Sequence, residues 1–586
     1  MIENLFILGI VPKIAGNRKV IMGIVILLIN YGISSLAAQA INGSFESKFK
    51  RYQKNEMFSG TTTHNWAPVA WQGERIHTQI VLWSDTDIKG LSYTISDFSN
   101  STETLTDIST KLRFGQYIKG DIEARSCAEY PSHINSVEIM DALSNQVATT
   151  LKAIDPLKIW LTIDVPYTDI TGTYTATFTV NGGDAPLVFN IALTLLDYRL
   201  PKVTDWEFHL DLWQFPMTIL EHYNKANPDK TIKTWSDAHF ELLKPAYNIL
   251  ADTGQKVITT YIKNGALGAE SMVKWTRKTD GTWAYDFTVF DKYVTTLMSW
   301  GITKQISCFS PVGWNETTIP FWDEATRTTI DLNAPLGSET YETRWGDFLT
   351  AFKMHLDSKG WFHKTVLYLD EVSEEKLSHV VAVVHGNHAD WKLGIAYSHR
   401  LPDSVKANFY DVSGILEDAS SMGITNNKIA TFYTSCTQKK PNNYVTPENN
   451  LAEMTWMSWH AQNEGYNGYL RWAYDFWRLT DPFDARDGNN TAGDFSMIYR
   501  SSNNTPIDFL PSLRLIMLRE GIQDYEKLKR IKTILKKTSE PRHIETLKEL
   551  DSIVGKFVKT SGADAEKLVR EGQKTLESIA QKIAPY

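Results

Sequence analysis

Asp370 and Glu371 stand side by side in "TVLYLDEVSEE" (365–375), directly after the apolar and aromatic run Val366 to Leu369. A buried strand that ends in two carboxylates can bring proton donation, proton abstraction and charge stabilisation to one point. The competing explanation is that the acids open the next helix, "SEEKLSHVVAVV", with Ser373 as its cap and Glu374 and Glu375 at its positive end. That accounts for Glu374 and Glu375. It does not account for Asp370, which closes the strand itself. Enzymes that place two carboxyls on opposite sides of a sugar hold them roughly 5–5.5 Å apart for retention and 6.5–9.5 Å for inversion. Sequence neighbours fit that poorly. They suit substrate-assisted retention, where a 2-acetamido oxygen of the substrate attacks. One carboxylate then supports the acetamido group, and the other protonates the leaving oxygen and activates water.

Groups of this kind need a frame. After Pro201, apolar runs of strand length alternate with amphipathic stretches. Eight strands are predicted: 208–213, 257–262, 305–310, 365–370, 393–398, 408–413, 429–435 and 468–474. Between them lie helical patterns such as "WSDAHFELLKPAYNILADTG" and "DKYVTTLMSWG", both closing on glycine. Eight β/α units over residues 201–535 predict a (β/α)8 TIM-type barrel, with chemistry at the C-terminal strand ends. A doubly wound sheet is the alternative, but no glycine-rich phosphate loop follows any strand. The first strand offers His209, Asp211 and Trp213, followed by Gln214. The seventh offers Tyr433, and the eighth Arg471, Trp472, Tyr474 and Asp475. Each alone could be a core residue satisfied by backbone. Together they predict a substrate pocket of carboxylates, aromatics and one guanidinium, suited to a neutral polyhydroxylated ligand. Residues 41–200 carry short alternating strands and turn signals, a β-sandwich pattern. The tail, 536–586, reads as helical. The expected fold is multidomain β plus α/β: an N-terminal β-sandwich, the barrel and a short C-terminal helical region.

The chain of 586 residues carries a formal net charge of −8, which argues against a nucleic-acid partner. Its 19 Trp, 25 Tyr and 25 Phe serve either large cores or sugar stacking. Asn17, Arg18 and Lys19, the apolar run "VIMGIVILLINYGI" and then "SSLAAQA" form an export signal over residues 1–40, with a retained membrane anchor as the alternative. The chain is therefore expected in the periplasm or at the surface of a bacterium, with no stable membrane span once the signal is cleaved. Cys127, Cys308 and Cys436 are too few and too scattered to predict a disulfide framework. With no HExxH or CxxC, and "HGNH" (385–388) in an expected loop, no metal and no cofactor are predicted.

Six stretches in this order resemble glycoside hydrolase family 123, the β-N-acetylgalactosaminidases: "AWQGERIHTQIVLWS" (70–84), "WLTIDVPYTDITGTYTATFTV" (160–180), "WAYDFTVFDKYV" (283–294), "VLYLDEV" (366–372), "GYLRWAYDFW" (468–477) and "LREGIQDYEKL" (518–528). The resemblance implies exo-acting, retaining release of terminal β-linked N-acetylgalactosamine from a glycolipid or oligosaccharide. Asp370 would support the acetamido group and Glu371 would be the acid/base. Aromatics of the eighth-strand motif, Trp472 foremost, would line the sugar pocket. Glu371 is then expected to titrate above a free Glu while Asp370 stays ionised. A β-N-acetylglucosaminidase, a non-catalytic glycan-binding protein and a metal-dependent hydrolase are the rival readings. "NTAGDFSMIYR" retains the Gly493–Asp494 pair of the family pattern, but the segment after it lacks the expected glycine-rich continuation.

Overall fold

The computed structural model describes residues 40–127, 135–313, 317–416, 428–486, 490–501, 508–537 and 539–583. The expected export signal, save Ala40, lies outside the described residues. Among them, no helix is long and apolar enough to cross a membrane.

The N-terminal part packs two five-stranded sheets. One orders Asn42–Glu46, Arg75–Trp83, Leu157–Asp164, Ser109–Asp121 and Ser136–Ser144; the other is built on Leu187–Arg199 and Gly172–Asn181. Period-2 alternation explains the packing. Along Gly172–Asn181 the inward Tyr174, Ala176, Phe178 and Val180 are buried, and they join Phe45, Ile80, Leu161 and Phe189 in one core.

The eight predicted barrel strands are all present: His209–Leu212, Val257–Tyr261, Gln305–Phe309, Thr365–Asp370, Lys392–Tyr397, Asp411–Ile415, Ile429–Tyr433 and Gly468–Arg471. They pair in parallel in the cyclic order of a (β/α)8 barrel. The seam between the first and second strands is closed partly by side chains. The Lys256 N–H donates to the Leu210 carbonyl at 3.0 Å, the Leu212 N–H to Gln255 Oε1 at 2.9 Å, and the Thr259 N–H to Gln214 Oε1 at 2.8 Å. The sixth strand begins at Asp411 rather than 408 because Asn408 and Phe409 close the turn after Asp403–Lys406, donating to Val405 and Lys406.

The helical patterns become Asp237–Asp252, capped by Ser236 Oγ, and Thr288–Ser299. Helix Pro216–Ala226 was not anticipated. Neither was a four-stranded sheet built from insertions after the second and third barrel strands, Trp283–Asp286, Lys274–Arg277, Thr318–Asp323 and Thr328–Asn333. Three further expectations need correction. Ser373 occupies the N-cap position of helix Glu374–Asn387 but its side chain makes no capping bond, and His385 lies inside that helix rather than in a loop. Cys127 and Cys436 form a disulfide, leaving Cys308 free and buried. The two cysteines are 309 residues apart in sequence and meet because the sandwich reaches the loop after the seventh barrel strand.

A buried acid stitches the two domains together. Asp141 of the sandwich accepts from Arg51 Nη2 at 3.0 Å, Arg514 Nε at 2.8 Å and the Tyr499 hydroxyl at 2.6 Å. Arg514, on helix Leu513–Lys536, also donates Nη1 to the carbonyls of Asn443, Gly493 and Ser496 at 2.9, 3.1 and 2.9 Å. The C-terminal helices Pro541–Val554 and Ala565–Lys582 complete this side of the molecule.

Candidate active site

Alternation along the fourth strand puts Tyr368 and Asp370 on the inner face of the barrel. The Tyr368 ring lies 5.3 Å from that of Phe309 and 6.0 Å from that of Trp213, centroid to centroid. In a strand that simply continued, Glu371 would face away from Asp370. It does not continue: Glu371 adopts φ +44°, a left-handed conformation that a glutamate rarely takes. The turn lets neighbouring residues address one site. The Glu371 N–H still donates to the Ala396 carbonyl at 2.9 Å, so the sheet fixes the turn. From the seventh strand, the Tyr433 hydroxyl donates to Glu371 Oε1.

Burial separates the two acids. Burial, and secondarily the Glu371 carboxyl, raise the pKa of Asp370 to about 7. The expectation that Asp370 stays ionised is therefore corrected: it titrates near neutrality. Asp370 sits at the inner, desolvated end of the strand, whereas Glu371 is exposed to solvent.

The structure puts Tyr433 against Glu371 and Trp213 in the barrel interior; Trp472 follows the C-terminal end of the eighth strand, packed on Phe215, Phe476 and Phe495. Trp472 is half-buried, edge-on to Phe495 at 4.9 Å, and its Nε1 donates to Asp494 Oδ2 at 3.3 Å. Arg471 is fully buried beneath it, ion-paired to Asp494 and donating to Thr434 Oγ1 at 3.1 Å. Arg471 thus holds the frame of the mouth instead of reaching a ligand. Asp494 is the hub that reasoning from sequence missed. The retained Gly493–Asp494 pair was the available signal, but nothing local linked it to Arg471. Asn490 Nδ2 adds a further donor to Asp494 at 2.7 Å.

Four expected contact residues lie elsewhere. His209 opens the first strand, with Nε2 3.9 Å from Oδ2 of Asp411, which opens the sixth. Both belong to the barrel floor. Asp211 is buried above them and accepts from Trp213 Nε1 at 3.3 Å; burial and Asp411 hold its pKa well above the carboxylate range. The Tyr474 hydroxyl donates to the Ala246 carbonyl at 2.8 Å, under helix Asp237–Asp252. Asp475 Oδ1 accepts from the Phe215 N–H at 2.7 Å, tying the loops after the first and eighth strands. Burial raises Asp475 to about 7.

The sandwich braces the mouth from outside. The Arg125 N–H donates to Thr491 Oγ1 and the Ala492 N–H to Asp121 Oδ2, each at 2.8 Å. The disulfide at Cys436 anchors the chain three residues beyond Tyr433. Among the described residues, no group of three His, Cys, Asp or Glu side chains is arranged to hold a metal ion.

Residues 213–531 match the family described as "Glycoside hydrolase 123, catalytic domain", and residues 43–182 match "Glycoside hydrolase 123 N-terminal domain". A family 123 glycoside hydrolase from Clostridium perfringens, studied for glycolipid glycan hydrolysis, has a similar structure. Its TM-score is 0.78 at 21% identity, over 93% of this chain and 98% of that one. At that identity the likeness speaks for the fold. A Parabacteroides merdae β-glucuronidase is far more distant, with TM-score 0.30 at 8% identity over 77% of this chain and 50% of that one, and carries no argument. No curated protein matches the chain.

Proposed function

This chain belongs to glycoside hydrolase family 123, and from that premise we propose that it is an exo-acting, retaining β-N-acetylgalactosaminidase using substrate-assisted catalysis. The observation that carries the reading is the left-handed turn at Glu371, which lets two adjacent carboxyls serve adjacent atoms of one sugar. Asp370 accepts the acetamido N–H and balances the charge of the oxazolinium ion. Glu371 protonates the departing oxygen and then draws a proton from the incoming water. Tyr433 steadies Glu371 from the facing strand, and Trp472 offers a ring to the apolar face of the sugar. The substrate is a glycan ending in β-linked N-acetylgalactosamine, a glycolipid or an oligosaccharide. Export to the periplasm or cell surface accompanies this role, and the Cys127–Cys436 pair suits an oxidising compartment.

The decisive experiment compares nitrophenyl glycosides of N-acetylgalactosamine, N-acetylglucosamine and galactose. The first is expected to be turned over fastest and plain galactoside scarcely at all, because it lacks the nucleophile. A thiazoline analogue of the oxazoline should inhibit more tightly than substrate binds. Equal turnover of the galactoside would rule out the mechanism, and preference for the glucosamine epimer would reassign the sugar.

The pH dependence follows from Asp370. Below its pKa the residue is protonated and cannot balance the developing cation. With the folded value near 7, kcat/KM is expected to fall as the pH drops through about 7. An acetamido N–H bonded to Asp370 favours the ionised form, so the acid limb of kcat should lie at lower pH. The pair titrates as a coupled unit, and both limbs are apparent values. Coincident limbs, or a kcat/KM that is level across the neutral range, would remove Asp370 from this role.

A further inference from the structure

Between the sandwich and helices Asp237–Asp252 and Leu513–Lys536 lies a cavity of about 310 Å³. It is bounded by helix Asp237–Asp252 at its C-terminal end, opposite to the end of the barrel that carries Asp370. Its charges do not balance. Four cations line it, Arg75, Lys111, Arg113 and Arg519, against the three carboxylates of Asp164, Asp252 and Asp508. Asp164 and Asp252 are ion-paired, while Asp508 accepts only a neutral amide and acts on Lys111 at longer range, so one positive charge is left in excess. Arg75 donates Nε to Asp164 Oδ1 at 2.5 Å and Nη1 to Asp252. Arg519 Nε stands 3.5 Å from Asp252 Oδ2, and Asn145 Nδ2 donates to Asp508 at 3.2 Å.

Arg113 has no carboxylate of its own: Asp164 and Asp252 act on it only at longer range, beyond their contacts with Arg75 and Arg519. Arg113 is only 8% exposed, yet it makes no ion pair among the described residues. Its Nη2 donates to Thr162 Oγ1 at 3.1 Å, and its Nε–H has no hydrogen-bond partner. Lys111 lies two residues earlier on the same face of strand Ser109–Asp121, opposite Thr162, and also makes no ion pair among the described residues. His77 adds no balancing charge. The indole Nε1 of Trp160 donates to its Nδ1 at 3.2 Å, which leaves the hydrogen of the neutral ring on Nε2. Burial, then Arg113 and Arg75, hold His77 well below the ordinary histidine range. A buried guanidinium with no counter-ion in contact is costly, and charged donors bind oxyanions strongly. The cavity is large enough for an anionic group together with the sugar ring that bears it.

We propose that this cavity is an oxyanion-binding site, in which Arg113 and Lys111 supply the charge and Thr162 and the His77 Nε2–H border the ligand. The oxyanion is a sulfate, phosphate or carboxylate, either free or carried on an acidic sugar. The site is independent of the catalytic reading.

Calorimetric titration of the full chain tests it with three ligands: sodium sulfate, sodium glucuronate and N-acetylgalactosamine 6-sulfate. Sodium chloride holds the ionic strength constant. Saturable one-to-one binding is expected, weakened about tenfold or more in Arg113→Met and in Lys111→Met, since each removes a charged donor. Lys111 is exposed, so its variant remains informative even where Arg113→Met does not fold. Tighter binding of a sugar acid than of sulfate supports the site and identifies the acidic sugar as ligand. Binding of sulfate at least as tight supports it as a site for the free oxyanion. Absence of saturable binding for all three ligands, or binding unchanged in both variants, overturns the proposal.

Discussion

Glu371→Gln is expected to slow hydrolysis of a β-linked N-acetylgalactosaminyl disaccharide by about 10²–10⁴-fold, the contribution of a positioned general acid. The same variant should form the oxazoline from the nitrophenyl glycoside far less impaired, because nitrophenolate departs with little protonic help. Water attack then lacks its base and becomes the slow step, so a burst of nitrophenolate should precede a slower steady rate. Asp370→Asn should behave differently. On the proposed mechanism its charge acts on the acetamido group while the nucleophile attacks, whatever leaves, so oxazoline formation should slow by similar factors for both substrates. The geometry favours this division of labour. Asp370 lies at the inner end of the fourth strand, as suits a group that reaches under the 2-position of a sugar. Glu371 is turned outward by its left-handed backbone and is held by the Tyr433 hydroxyl, where a leaving oxygen and then water can approach. Strong leaving-group dependence in Asp370→Asn, with none in Glu371→Gln, would exchange the two roles.

The parts of this arrangement that were legible in sequence are those with local signatures. Parallel strands buried on both faces read as continuous apolar runs, so "VITTYI", "QISCFS" and "TVLYLD" announced themselves. The two acids were legible because they break such a run at its end. Height within the barrel was not. His209 and Asp211 share the inward face with Trp213, but period-2 alternation specifies a face and says nothing of depth. The strand begins at His209, which puts that side chain on the floor. The eighth-strand cluster misled in another way. Arg471, Tyr474 and Asp475 are polar because they satisfy Asp494, Ala246 and Phe215 across the fold, and none of those partners is near in sequence. The Cys127–Cys436 bridge and the Asp141 hub were hidden for the same reason: each joins the sandwich to loops or helices of the barrel.

That hub gives the largest expected effect on stability. Asp141 is fully buried between Arg51 and Arg514, whose side chains are 5% and 1% exposed. Asp141→Ala leaves two buried guanidinium groups without their shared carboxylate, and removing one partner of a buried ion pair costs about 3–5 kcal/mol. Thermal scans at a fixed rate should show a midpoint lowered by several degrees. Arg514→Met should cost a similar amount by a different route, because Asn443, Gly493 and Ser496 lose a donor to their carbonyls while Asp141 keeps only Arg51 and Tyr499. The double variant, Asp141→Ala with Arg514→Met, should be less destabilised than the sum of the singles, because it removes a charge of each sign. Gly493 adjoins Asp494, the partner of Arg471 and Trp472, so Arg514→Met should also raise KM with less effect on kcat. Additive single effects, or a loss below about 1 kcal/mol in Asp141→Ala, would mean that water reaches this cluster and that it contributes little to the junction of sandwich and barrel.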